Sequence, residues 1–325
     1  FRTKRWSAAR RGNSSIGTTR PAICSSSCRA VGIISPASCA SSSRPCGRVR
    51  ACRCDSAATS SAPPPDQIRG VVGSNQRRGL AGLQTARGLK VSGELDDATW
   101  QALQPDSTPP LASYTLTAED VAGPFQPIPK KPADQAKLKA MGFSSVGEAL
   151  GERFHADPKL LQALNPGVDL GKAGSTIQVP NIAPAALPKA AKLVIDKSDS
   201  TLRLYDAQGK VYAQFPVSSG SQHDPLPIGE WKILGISRDP PFHYNPKLFW
   251  DAKAGDRKAT LPPGPNNPVG PVWIDISKPH YGLHGTPEPG HVGKTESHGC
   301  VRMTNWDALQ VADAVDASVP VVMQE

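Results

Sequence analysis

After position 54 this 325-residue chain holds a single cysteine, Cys300, which has no nearby sequence partner for a disulfide. The other six (Cys24, Cys28, Cys39, Cys46, Cys52 and Cys54) crowd the amino-terminal stretch, and no histidine precedes His155. Without histidines, and with spacings that match no ordinary zinc site, those six give no metal knuckle. Acidic residues are missing from residues 1–54, which carry ten Arg and one Lys, a charge of +11. The formal net charge is only +9, so residues 55–325 carry −2 and the basic character belongs to the tail. No basic stripe interleaved with aromatics follows residue 55, which argues against nucleic acid as a partner. Long apolar runs are missing too. Ala30 to Ile34, the longest in the tail, is far too short for a signal h-region, and no segment approaches a membrane span. The chain begins with Phe rather than Met, and no export signal is visible in it.

What is present falls into blocks. Residues 1–65 show no hydrophobic period and read as a disordered or artefactual basic, Cys-rich tail. Leu80 and Leu83 share a helix face, Gly88 is placed to stop that helix, and Asp96 or Asp97 caps a second one burying Trp100 and Leu103. With Gln84-x-x-x-Gly88-Leu89, a Gly turn and Asp96-x-x-Thr99, residues 66–105 resemble the later two-thirds of the small helical peptidoglycan-binding domain. A generic helical hairpin is the alternative. Seven prolines between Pro105 and Pro132 mark residues 106–135 as a semi-rigid linker. Val146, Ala149, Leu150 and Phe154 then share one helix face, and Asp157-Pro158 starts another helix that buries Leu160, Leu161 and Leu164. An Asn165-Pro166-Gly167 turn and a strand at residues 176–180 follow. This order resembles the later part of a LysM carbohydrate-binding module over residues 136–182, lacking an evident first strand; a plain structural spacer is the alternative. Residues 183–191 form a second linker.

From residue 192 to 325 the period changes to two. Leu193 and Ile195, Leu202 and Leu204, then Val211, Ala213, Phe215 and Val217 alternate with polar residues around an Asp206–Gly209 hairpin turn. Further strands fit residues 231–236, 272–276 and 319–323, with one helix over about 305–315 exposing Asp307 and Asp313. The fold class expected is multidomain: a mostly-β domain of two packed sheets carrying one helix, preceded by small helical and α+β modules.

The chemistry concentrates in Ser297-His298-Gly299-Cys300-Val301-Arg302, with His284 sixteen residues before the cysteine in Gly282-Leu283-His284-Gly285-Thr286. If the first segment is extended, His298, Cys300 and Arg302 point the same way. A thiol is a nucleophile only as thiolate, and an imidazole nearby can take its proton and hold the ion pair. His284 is the candidate base, and the Cys300 amide, with that of Gly299, the candidate oxyanion donors. Two other readings stay open at this point. His284, His291, His298 and Cys300 could be four zinc ligands, or Cys300 could be an inert core residue. Tyr244 and Trp273 read as core aromatics, and the aromatic-rich segment 238–258 as a substrate-covering loop.

His-Gly-Thr followed at this distance by Ser-His-Gly-Cys-Val-Arg resembles the catalytic domain of the L,D-transpeptidases, the YkuD-like cell-wall enzymes, over residues 190–325. Pro227-Ile-Gly-Glu-Trp231, Pro263-Gly-Pro-Asn-Asn-Pro-Val-Gly270 and Tyr281-Gly-Leu-His-Gly285 fit the same pattern. The resemblance implies an acyltransferase that needs no cofactor or metal, with Cys300 as nucleophile and His284 as proton acceptor and donor. Ser297, His298, Gly299 and Arg302 would form the surrounding shell, Arg302 meeting a substrate carboxylate. The implied partners are peptidoglycan stem peptides and glycan. The implied reaction is peptide cross-linking, or protein attachment, through a thioester with release of D-alanine. The implied place is the bacterial envelope, the periplasm. A non-catalytic wall-binding scaffold, or an L,D-carboxypeptidase or amide hydrolase on the same fold, are the alternatives.

Overall fold

The computed structural model describes residues 67–103, 109–182 and 186–325. The tail expected over residues 1–65 lies outside the described residues. Helices α1 (Ser74–Ala86) and α2 (Asp97–Leu103) pack through buried Leu83 and Leu103, with Leu95 against them. Gly88, at φ +66, ends α1 in the left-handed region a side chain would resist. Asp96 is the residue that caps α2: its Oδ1 accepts from the Thr99 amide at 2.8 Å and hydroxyl at 2.6 Å. Between the helices Gln84 is fully buried with every polar atom used. Its Oε1 accepts from the Ser92 and Gly93 amides, and its Nε2 donates to Glu94 O and Thr99 Oγ1. Trp100, predicted in this core, is only partly buried; the polar Gln84 occupies the centre instead.

The next unit begins inside the stretch predicted to be a linker. β1 (Leu111–Thr115) is followed by the short helices α3 (Ala118–Val121) and α4 (Pro132–Gln135), then α5 (Val146–Arg153), α6 (Pro158–Leu164) and β2 (Thr176–Pro180). β1 pairs antiparallel with β2 in the register Leu111↔Pro180 to Thr115↔Thr176. The prolines that suggested a linker flank the strand rather than interrupt it, and so leave its amides free to pair. Asp157 caps α6 with Pro158 in its first turn, as predicted. Leu116, Leu150, Ala156, Leu161, Ile177 and Val179 make the core.

The carboxyl-terminal domain runs β3 (Lys192–Asp196), β4 (Thr201–Tyr205), β5 (Val211–Pro216), β6 (Ser218–Ser219), β7 (Gly229–Arg238), β8 (Phe242–Tyr244), β9 (Ala259–Leu261), β10 (Val272–Ile276), β11 (Gly282–His284), β12 (Val301–Arg302), α7 (Asn305–Ala314) and β13 (Pro320–Gln324). Two packed sheets were predicted; nine of these strands join in a single sheet in the order β5-β4-β3-β13-β7-β10-β11-β12-β6, and β8 pairs apart with β9. The ten-residue β7 explains the difference. Its residues 229–232 pair with β13 and its residues 233–238 with β10, so one half-sheet passes into the other along a single strand. Leu193, Leu202 and Phe215 of one half share a core with Val272, Ile274, Leu283 and Val301 of the other. Each such side chain contributes about 1.5–3 kcal/mol on burial. α7 closes this core with Ala308, Val311 and Ala312. Asp313 is exposed and pairs with Arg238, but Asp307, predicted to be exposed as well, is fully buried next to the Thr304 cap.

The preceding units are docked on this domain. Asn75 Nδ2 and Arg78 Nη1 donate to Val292 O and Gly293 O at 2.8 and 2.9 Å. Met141 donates to Pro263 O and accepts from the Asn266 amide, both at 2.9 Å, and a Cβ on Gly264 would collide with the Met141 backbone. The His155 ring stacks on Trp306 at 4.7 Å.

Candidate active site

β11 and β12 pair in parallel, Leu283 beside Val301 and His284 beside Arg302. Leu283 and Val301 are fully buried in the core, so the alternation of the strands turns their flanking residues to the opposite face. Gly282 and His284 of one strand therefore lie beside Cys300 and Arg302 of the other. Two facts about glycine make room there. A Cβ at Gly282 would run into the Trp273 indole, and one at Gly299, which sits at φ +95, into the Tyr281 ring.

Gly299 also alters the predicted geometry. Only Val301–Arg302 is strand; residues 298–300 bend. His298 consequently does not follow Cys300. Its Nε2 lies 3.0 Å from Asp251 Oδ1, and its ring meets Phe249 and Trp250 at 5.2 and 5.7 Å. The aromatic segment predicted to cover substrate thus reaches the catalytic bend through His298. Ser297 is buried and stitches the bend: its Oγ donates to Cys300 O at 2.6 Å and accepts from the Gly220 amide at 2.8 Å. It braces the cysteine from behind.

Cys300 is half-buried and unpaired. Its Sγ lies 3.8 Å from His280 O. Burial pushes the thiol up, opposed by a hydrogen bond from the Gly282 amide and by the positive charge of Arg302; the Asp224 carboxylate pushes the same way as burial. His284 is buried and stacked against Trp273 at 5.6 Å. Its Nδ1 stands 2.6 Å from Gly285 O. A carbonyl can only accept, so Nδ1 carries the proton and Nε2 is left with its lone pair free. Burial pulls His284 down to about 4, with the Gly285 bond raising it and Arg302 lowering it. Both shifts run toward the uncharged forms, thiol and imidazole.

Arg302 is lowered by burial and feels Glu288 and Cys300, yet its guanidinium makes no ion pair within the described residues. Asp224 was not legible in advance. It follows an aspartate-poor turn and gains meaning only because Gly220 is bonded to Ser297 through both its amide and its carbonyl. The zinc arrangement does not form. His291 turns to Glu288 and His298 to Asp251, and no group of three or more His, Cys, Asp or Glu among the described residues could hold a metal ion. Trp273 is not simply core: it is the plate behind His284. Tyr244 donates to Asp256 at 3.0 Å. A groove of about 870 Å³ lies elsewhere, between residues 119–126 and the α5 helix; its lining holds no cysteine, serine or histidine.

The comparisons with known proteins bear on this mostly-β domain. The family model for the L,D-transpeptidase catalytic domain, YkuD, matches residues 190–323. YkuD of Bacillus licheniformis is 30% identical over 171 residues, 52% of this chain and 87% of that protein. YkuD of Bacillus subtilis is 31% identical over 158 residues, 48% of this chain and 79% of that protein. An L,D-transpeptidase from Mycobacterium smegmatis superposes with a TM-score of 0.34 at 19% identity, covering 47% of this chain and 64% of its own. The chain belongs to the YkuD family of L,D-transpeptidases.

Proposed function

We propose that the chain is a cysteine L,D-transpeptidase of peptidoglycan in which Cys300 is the nucleophile and His284 the general base. The observation that carries this is the pairing of β11 with β12, which sets the two residues on one face while Gly285 O holds His284 with Nε2 unprotonated. Cys300 Sγ attacks the carbonyl carbon of the third residue of a tetrapeptide stem as Nε2 takes its proton. The oxyanion that forms is held by the backbone amides of Cys300 and Gly299. The imidazolium then gives its proton to the departing nitrogen, the C–N bond breaks, and D-alanine leaves a thioester on Sγ. An amine of a second stem, or of a protein, attacks that thioester; His284 takes the amine proton and returns it to the sulfur as the new amide forms. Because both shifts favour the uncharged forms, proton transfer accompanies attack.

Arg302, unpaired and facing the same side as Cys300, receives a substrate carboxylate. The strand–helix–helix–strand unit made by β1, α5, α6 and β2 supports reading residues 111–180 as a LysM-like glycan-binding module, and α1 with α2 as a peptidoglycan-binding-like one. Such a substrate places the protein in the bacterial envelope. No helix among the described residues is long and apolar enough to cross a membrane.

Intact-mass spectrometry after incubation with a carbapenem tests the nucleophile: one covalent adduct is expected, absent in Cys300→Ala. No adduct on folded protein supports a scaffold instead. Incubation with tetrapeptide and a second amine then separates transfer from hydrolysis, since only transfer yields the cross-linked amide.

A further inference from the structure

Gly285 O, the atom that fixes the His284 tautomer, belongs to the same peptide group as the Thr286 amide. That amide donates to Asn305 Oδ1 at 2.8 Å. Asn305 is 1% exposed, and its own Nδ2 donates to Pro265 O at 3.1 Å, with Glu152 lining the same small cavity. Space is kept for it: a Cβ on either Gly270 or Gly285 would collide with Asn305 Oδ1. Glu152 comes from α5, in the unit docked against the sheet domain, 153 positions earlier in the chain.

We propose that Asn305 is a positioning residue that orients and polarises the Gly285–Thr286 peptide so that His284 keeps its proton on Nδ1. The physical basis is amide resonance. Drawing hydrogen-bond density from the N–H side of a peptide makes its carbonyl a stronger acceptor, and the effect grows where water is excluded. The line runs from Pro265 O to Asn305 Nδ2, through its amide to Oδ1, to the Thr286 N–H, across the peptide to Gly285 O, and so to His284 Nδ1. Asn305 touches no substrate; it acts through the backbone, as outer partners of a working histidine do. The inference rests on His284 being the base only for its consequence in rate; the tautomer it predicts does not depend on that reading.

The test is ¹⁵N NMR of the histidine rings in the full chain, with carbapenem acylation rate beside it. In the wild type His284 should show protonated Nδ1 and unprotonated Nε2. In Asn305→Ala the ring should become a mixture of the two tautomers and acylation should slow roughly 10- to 100-fold. Should Asn305→Ala not fold, Asn305→Leu, which keeps the volume, is read in the same way. A folded Asn305 variant whose His284 stays wholly protonated at Nδ1 overturns the proposal. A tautomer that shifts while acylation does not would leave the proposal standing and remove His284 as the base.

Discussion

His284 and His155 are both pulled down to about 4 by burial, and both lie flat against a tryptophan, Trp273 and Trp306. They are nonetheless different objects. The His155 ring has no hydrogen-bond partner among the described residues and serves as a flat surface in the seam between two units. The His284 ring has one nitrogen committed to a carbonyl, which leaves the other as the basic one. Burial alone makes an imidazole uncharged. The single bond at Nδ1 decides which nitrogen is basic, and so fits the His284 ring, and not the His155 ring, to the proposed role of base.

Exchanging each histidine breaks the comparison most strongly. His284→Ala should slow acylation by about 10² to 10⁴, the range for a lost general base. His155→Ala should acylate at the wild-type rate in an adduct assay while melting earlier. Trp306→Ala removes the plate under His155, and chemical denaturation should show a loss of about 3 kcal/mol or more.

The pH dependence of stability sharpens the contrast with a third group, Glu152, whose carboxyl burial pushes up to about 7. Two histidines depressed from 6.5 contribute stability that is present above 6.5 and lost as pH falls toward 4. The raised carboxyl contributes stability present below 4.5 and lost as pH rises through 7. Between 4.5 and 6.5 the unfolded chain thus binds two more protons through the histidines, and the folded chain one more through Glu152. From these groups, unfolding free energy should climb with pH by about 1.4 kcal/mol per unit, then decline slightly above 6.5. Glu152→Gln should raise the slope to about 2.7 kcal/mol per unit and abolish the decline.

The smallest effect is expected at Asp224. Its carboxylate raises the Cys300 thiol, so Asp224→Asn should speed alkylation by iodoacetamide near pH 8 by about a few-fold, within the size of one neighbouring charge. An unchanged rate would mean that burial alone sets the thiol.

What could be read from the sequence was local. Period-two alternation found β3, β4, β5, β7, β10 and β13, and Asp157-Pro158 announced α6, because each depends on neighbours a few residues away. The cysteine and its histidine were legible because a lone thiol among Ser, His, Gly and Arg is a poor core residue. β1 stayed hidden because the prolines around Leu111–Thr115 drown a five-residue alternation, and its partner β2 lies some sixty residues on. His298 was misdirected because Gly299 was read as extended, whereas its positive φ turns the chain between the two side chains. Asn305 carries no local signal: it is an ordinary helix residue, and its bond to the Thr286 amide joins positions nineteen apart.

That seat has a consequence of its own. Met141 trades backbone hydrogen bonds in both directions with the 263–266 loop, and Gly264 lies flush against it. A leash lets a catalytic head fish through a volume around its anchor; a weld does not. If the amino-terminal units grip a polymer, the sulfur is presented at one fixed stride from the grip, and the spacing of the bonds it makes would be ruled by the rigid body rather than by chain entropy.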